Sequence, residues 1–96
     1  MDIQLRSVLD VAQVLGAKEQ TVSIADGATV GGLVALLLEK HGEPLRALVM
    51  QGGGVPELAP HVKLYVNGRG VDFLEGMDTL LKDGDDVVIM PQISGG

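Results

Sequence analysis

Val87-Val88-Ile89-Met90 is apolar at every position, and only Pro91 to Gly96 follow it. Successive side chains of a strand point to opposite faces, so this segment, read as a strand over Asp85 to Met90, is apolar on both. Such a strand belongs in the middle of a sheet, not at its edge. The last six residues therefore leave from the centre of a sheet. They end in Gly95-Gly96, and glycine has no Cβ, so two in a row make the thinnest segment a chain can form. Two readings follow. The end is frayed, as termini often are, or it is a slim arm threaded into another protein, presenting the α-carboxylate of Gly96.

The other segments supply partners for that strand. Ile3 and Leu5 alternate with Gln4 and Arg6, which predicts a half-buried strand over 3–8. Val11, Val14 and Leu15 suit a short helical turn over 9–15, stopped by Gly16. Thr21 to Ile24 reads as a second strand, pairing with the first across a long connection, with Val22 and Ile24 on one face. Asp26-Gly27 marks a turn, and Thr29 sits where a helix N-cap belongs. Val30, Leu33, Val34, Leu37 and His41 then recur with helical spacing, which predicts a helix over 30–41. Leu36 and Leu38 widen its apolar sector. Gly31-Gly32 weakens it, by about 1 kcal/mol per glycine relative to alanine, and Gly42 supplies a left-handed stop.

Pro44 can open a second short helix through Leu48-Val49-Met50. Gln51 to Gly54 reads as a surface loop; its three glycines lack the Gly-Lys-Ser/Thr continuation of a phosphate-binding loop. Val62, Leu64 and Val66 alternate with Lys63, Tyr65 and Asn67 in a third strand. Asn67-Gly68 is a strong signal for a two-residue hairpin turn, with Gly70 to Phe73 returning as a short strand. Leu80-Leu81 suits a packed turn, and Asp83-Gly84 turns the chain into the last strand. The order β-β-α-(α)-β-β-β with one main helix predicts an α+β fold. Its core is expected to hold Ile3, Leu5, Val22, Ile24, Leu33, Leu37, Leu64, Val66, Val87 and Ile89. Residues 1–90 form one domain and 91–96 a flexible tail.

Charge and composition narrow the functions. Net charge is −6, and nucleic-acid affinity rests on Lys and Arg neutralising phosphates, so no nucleic-acid partner is expected. Anionic membranes are disfavoured for the same reason. The N-terminus lacks the basic and apolar regions of a signal peptide, and the apolar run from Leu33 to Leu38 is too short to span a bilayer. A cytoplasmic protein is expected. Cysteine is absent, which excludes disulfides and a thiol nucleophile. With 46% hydrophobic residues but only Tyr65 and Phe73 aromatic, the core must be aliphatic. His41 and His61 stand 20 residues apart in the sequence without metal-ligand spacing, so no metal site is expected; His41 suits the helix dipole and His61 a loop. Asp72, Glu75, Asp78, Asp83, Asp85 and Asp86 crowd one stretch opposed by Lys82. They read as solvated turns or as a docking patch for a basic partner.

The last third carries a resemblance. Val66-Asn67-Gly68, Val71-Asp72-Phe73-Leu74, the run from Gly76 to Val87, and Pro91-Gln92-Ile93-Ser94-Gly95-Gly96 follow in order. This resembles the ubiquitin-like sulfur-carrier family, which includes the small subunit of molybdopterin synthase and the thiamin sulfur carrier (MoaD/ThiS-like). The first half fits through its two strands, Asp26-Gly27-Ala28-Thr29-Val30 and the apolar helix, while residues 43–61 carry little of the match. Gln92 stands at a position often apolar or small in the family. The resemblance implies a ubiquitin-like β-grasp fold, a mixed sheet with the main helix packed on one face. It also implies that Gly96 is the reacting residue and Gly95 its narrow neck.

In that scheme an adenylating activating enzyme (MoeB/ThiF-like) uses ATP to join the Gly96 carboxylate to AMP. A sulfur donor such as a cysteine desulfurase or rhodanese converts it to a thiocarboxylate, and a downstream sulfur-accepting synthase receives the sulfur. The chain binds no cofactor of its own; ATP belongs to the activating enzyme. It acts as a carrier or substrate protein, or as the small subunit of a molybdopterin-synthase-like sulfurtransferase. Molybdopterin, thiamin, cysteine and tRNA thiolation are open as recipients, with molybdopterin ranked slightly ahead. The same tail suits a ubiquitin-like modifier joined through Gly96 to lysines. A third reading is a plain interaction module with an incidental tail.

Overall fold

The computed structural model describes residues 1–49 and 62–91. The elements are β1 (Asp2–Ser7), α1 (Leu9–Leu15), β2 (Glu19–Ser23), α2 (Val30–His41), α3 (Glu43–Val49), β3 (Val62–Val66), β4 (Arg69–Gly70) and β5 (Asp86–Pro91). The strands form one sheet in the order β2-β1-β5-β3-β4. β5 is central, as its two apolar faces require. It runs parallel to β1, with Leu5 beside Val87 and Ser7 beside Ile89. On its other side it runs antiparallel to β3, with Leu64 beside Ile89 and Val62 beside Pro91. β5 reaches Pro91, one residue beyond the expected domain boundary; residues 92–96 lie outside the described residues.

The alternation of β1, β3 and β5 sends Ile3, Leu5, Val62, Leu64, Val66, Val87 and Ile89 to one face, each at most 6% exposed. Against them pack Val30, Leu33, Val34 and Leu37 of α2, at most 5% exposed. This is the β-grasp arrangement that the resemblance implies. α2 is the one main helix, as expected, and the short α1 and α3 contribute Val11 and Leu15, and Leu45 and Val49, to the same core. Val22 and Ile24 depart from expectation. They are half-buried, since β2 is an edge strand and part of its inner face has no neighbour.

The punctuation of α2 matches its chemistry. Thr29 is extended, and its hydroxyl accepts from the Gly32 amide at 3.1 Å, satisfying a donor that the first helical turn cannot. Gly42 ends the helix at φ 67°, ψ −146°, outside the left-handed helical basin expected for the stop but in a region that glycine alone enters readily. Its amide donates to the Leu38 carbonyl at 2.7 Å. His41, expected on the apolar face, is half-buried, and its Nε2 is enclosed without a hydrogen-bond partner among the described residues.

Gly70 to Phe73 is not a strand throughout. β4 is two residues long, and Val71–Phe73 turns into a 3-10 helix. Val71 needs the core, at 4% exposed, and the tight turn delivers it there. A second 3-10 turn, Gly76–Asp78, then lies against the start of α2. Val30 N–H donates to Thr79 O and Leu81 N–H to Ala28 O, both at 2.9 Å, and Leu81 is buried while Leu80 is 64% exposed. The expected packed turn at Leu80-Leu81 is thus packed through Leu81 alone. Met50, the Gln51–Gly54 loop and His61 lie outside the described residues.

Candidate functional site

The tail begins where β5 ends, so the sheet register defines its surroundings. β1 is parallel to β5, which brings Ser7 level with Ile89 and places the β1–α1 connection beside the end of β5. Leu9, the first residue of α1, has φ 55° and is 52% exposed. A bulky L-residue in the left-handed region costs about 1–2 kcal/mol. On the opposite side, Lys63 pairs with Met90 and Val62 with Pro91. Gly95 and Gly96, the residues expected to react, lie outside the described residues. Five residues separate Pro91 from the Gly96 carboxylate, a reach of at most about 17 Å when fully extended.

The face of the sheet away from the helices is divided in two. On β1 and β2 it is polar. Gln4 and Thr21 exchange hydrogen bonds at 3.3 and 3.4 Å, and Arg6 Nε lies 3.1 Å from Asp86 Oδ1 and 3.9 Å from Glu19 Oε1. On β5 and β3 it is mixed, with Val88, Met90 and Tyr65 standing among Asp86 and Lys63. Val88 faces Tyr65 across the β5–β3 pair, and Tyr65 faces Gly70 across β3–β4. A Cβ on Gly70 would sit 3.5 Å from the Phe73 ring and 3.6 Å from the Tyr65 ring, so both aromatics of the chain border one spot. Phe73 is 90% exposed and Met90 39%.

The acidic stretch does not act as one patch. Asp83, Asp85 and Asp86 build the turn into β5 at the end of the sheet remote from the tail. Asp83 Oδ1 accepts from Asp2 N–H at 2.7 Å, and Asp85 Oδ2 accepts from Lys82 N–H at 2.8 Å. Asn67 Nδ2 donates to Asp85 Oδ1, and Asp86 N–H donates to Asn67 Oδ1, each at 3.0 Å. Asp72 lies in the 3-10 turn that follows β4, while Glu75 and Asp78 belong to the second turn, the one against the start of α2. Lys63 Nζ reaches Asp72 Oδ2 at 3.3 Å; Glu75 and Asp78 form no ion pair among the described residues. Among those residues, no three His, Asp or Glu side chains gather as a metal site would need, and no helix is long and apolar enough to cross a membrane.

Phe73, expected at the end of a strand, lies instead in a 3-10 turn and is 90% exposed. Alternation assigned it to a strand, yet its chemistry was a signal, since an aliphatic core that uses neither aromatic leaves both for the surface.

A mixed β-grasp sheet with a central last strand leading into a diglycine defines a ubiquitin-like protein. The ThiS family matches residues 9–96, and the chain belongs to that family of ubiquitin-like sulfur carriers. It is 36% identical over 96 residues to small archaeal modifier protein 3 of Haloferax volcanii, covering 100% of both chains. It is 30% identical over 97 residues to the molybdopterin synthase sulfur carrier subunit of Chlamydomonas reinhardtii, again covering 100% of both. The crystal structure of SAMP1 from Haloferax volcanii superposes with a TM-score of 0.81 at 26% identity, covering 100% of each chain.

Proposed function

We propose that this protein carries sulfur as a thiocarboxylate on Gly96. The observation that carries the reading is the diglycine end, five residues beyond a central strand, in a member of the sulfur-carrier family. A carboxylate is a poor electrophile. One oxygen of Gly96 attacks the α-phosphorus of ATP on an activating enzyme and pyrophosphate leaves, giving an acyl adenylate. Hydrosulfide then attacks the acyl carbon, a C–S bond forms, and AMP departs with the original oxygen. No side chain of this protein has to act as acid or base. Its contribution is a rigid platform and an arm thin enough to enter a site that excludes water, where the adenylate is protected from hydrolysis.

Incubation with the activating enzyme of the same genome, ATP and sulfide is expected to add about 16 Da at the C-terminus, one oxygen replaced by sulfur. An unchanged mass, together with undiminished biological activity after removal of Gly95-Gly96, excludes the reading. The first recipient to test is molybdopterin synthesis. That choice is supported by the resemblance and by the end-to-end relative of that name.

A second reading has its own support in the modifier relative, also aligned over its whole length. An amine attacking the same adenylate, or an ester derived from it, gives an amide in place of a thiocarboxylate. Gly96 would then be found in isopeptide bonds to lysines in cell extracts. Detection of only free and thiocarboxylated protein argues against it.

A further inference from the structure

β2 closes one side of the sheet, and its outer rim is unused. The Met1 amine donates to Ile24 O at 2.9 Å and Ile24 N–H to Met1 O at 3.0 Å, while Ser7 N–H donates to Lys18 O at 2.9 Å. In an antiparallel pair, positions bonded in this way alternate with positions whose N–H and C=O point away from the partner. The register sets Ile3 beside Val22 and Leu5 beside Gln20. Glu19, Thr21 and Ser23 therefore aim their backbone groups outward. β2 pairs with β1 alone, and those outward groups form no other hydrogen bond among the described residues. Proline or a bulge often blocks such an edge. β2, Glu-Gln-Thr-Val-Ser, has no proline, and its register with β1 is unbroken.

The inner side of the same edge is open as well. A groove of about 230 Å³ runs between β2 and the end of α2, lined by Gln20, Val22, Leu36, Leu37 and Lys40. Val22 and Leu36 are half-buried there, so the fold leaves apolar surface uncovered beside the free rim. Lys40 is exposed and forms no ion pair among the described residues. Its neighbour Glu39 lines a different groove, with Arg46 and Met77. A row of free backbone groups above an apolar groove fits an extended chain, whose backbone pairs with the rim and whose alternate side chains fill the groove. The cation at the groove favours a carboxylate on that chain. A second copy fits poorly. Its own β2 offers one aliphatic residue, Val22, and two chains of net charge −6 repel each other.

We propose that β2 is a docking edge for an extended segment of a partner protein, aliphatic at alternate positions and carrying a carboxylate beside Lys40, which joins the sheet as an added strand. The assignment rests on the edge and its groove, not on the chemistry of Gly96. β1 separates β2 from β5, a distance of two strand spacings, about 10 Å. A segment held at β2 therefore leaves the tail at the end of β5 available to an enzyme.

The test titrates the full-length protein with the capped peptide acetyl-Glu-Ile-Thr-Val-Thr-Ile-Glu-amide, whose two ends supply a carboxylate near Lys40 in either strand direction. Amide shifts in NMR spectra should change within Glu19–Ser23 and Leu36–Lys40, and the amides of Glu19, Thr21 and Ser23 should gain protection from hydrogen exchange. Thr21→Pro removes an N–H that β1 does not use, at an edge where proline is tolerated. It should melt close to wild type and weaken binding at least about tenfold. Lys40→Gln should weaken binding about threefold at low salt and not at high salt, whereas Glu39→Gln should leave it unchanged. If Thr21→Pro does not fold, a peptide of the same sequence N-methylated throughout decides, and it should bind at least about tenfold more weakly. Absence of shift changes up to about 1 mM peptide, changes confined to other strands, or equal binding of the methylated peptide overturns the docking edge. A wild-type protein that already dimerises through β2 overturns it too, because a second copy then holds the edge. None of these outcomes bears on thiocarboxylate formation.

Discussion

Gly31 and Gly32 are adjacent, both in the first turns of α2, yet their surroundings give them opposite roles. A Cβ on Gly32 would find its nearest neighbours at 3.7 Å, an ordinary contact. A Cβ on Gly31 would sit 3.1 Å from the Met77 carbonyl oxygen, in the 3-10 turn that lies on the helix. Helix propensity favours alanine over glycine at both sites by about 1 kcal/mol. At position 32 nothing opposes that gain. At position 31 the backbone oxygen must move, and crowding of this kind costs about 1–3 kcal/mol. Gly32→Ala should therefore raise unfolding free energy by about 1 kcal/mol, while Gly31→Ala should fall at or below wild type. Urea titrations of the two variants check this, and equal stabilisation by both would show that the 3-10 turn yields freely. The same contact explains the first of the two glycines, which admits the Gly76–Asp78 turn.

Between elements, the β3–β4 hairpin and the turn into β5 share one residue. Asn67 has φ 51°, and its amide group both donates to Asp85 and accepts from Asp86 N–H. Asn67→Ala should cost about 2 kcal/mol, from left-handed strain plus lost hydrogen bonds. Asn67→Gly removes only the bonds and should cost about 1 kcal/mol. If both cost the same in thermal melts, conformation is not what Asn67 supplies. At the open end of the β1–β2 pair, the Met1 amine donates to Ile24 O at 2.9 Å and lies 3.1 Å from Asp26 Oδ1. The hydrogen bond to the Asp26 carboxylate is the main cause holding that amine above its ordinary value of 8.0. A raised folded-state value makes the contribution complete below pH 8 and lost as pH rises through the folded value. In a chain with a free Met1 amine, stability should thus decline above pH 8 more steeply than in Asp26→Asn; parallel pH profiles would remove the pair from the account. These elements were also the legible ones. Thr29, Asn67-Gly68 and the period of α2 are local signals, and each lies where it was read. Val71–Phe73 was misread because alternation cannot distinguish a strand from a turn that drops one side chain into the core. The half-burial of Val22 and Ile24 depends on β2 being an edge strand, which no local pattern states. The nearness of Tyr65 and Phe73 at Gly70 was illegible because it joins β3 to the segment after β4, which only the fold brings together; Gly95 and Gly96 were singled out from the sequence alone.

For the molecule as a whole, the distribution of the core decides how stability and reactivity separate. Among the described residues, every member of the core cluster lies between Ile3 and Ile89, and β5 is held by β1 through Ile89 and by β3 through Pro91. Removing Gly95-Gly96 takes nothing from that core, so the melting temperature should stay within about 1 °C, as expected for a change outside buried and capped positions. Reactivity should respond otherwise. Appending one alanine after Gly96 moves the terminal carboxylate by about 3.5 Å, whereas misplacement by about 1 Å in a site that depends on alignment already costs about a hundredfold. The extended protein should therefore melt as the wild type does and yet form no thiocarboxylate. Mass spectrometry reads the product and a thermal melt reads the fold. An appended residue that leaves the yield unchanged would mean that the reacting group is not the Gly96 carboxylate.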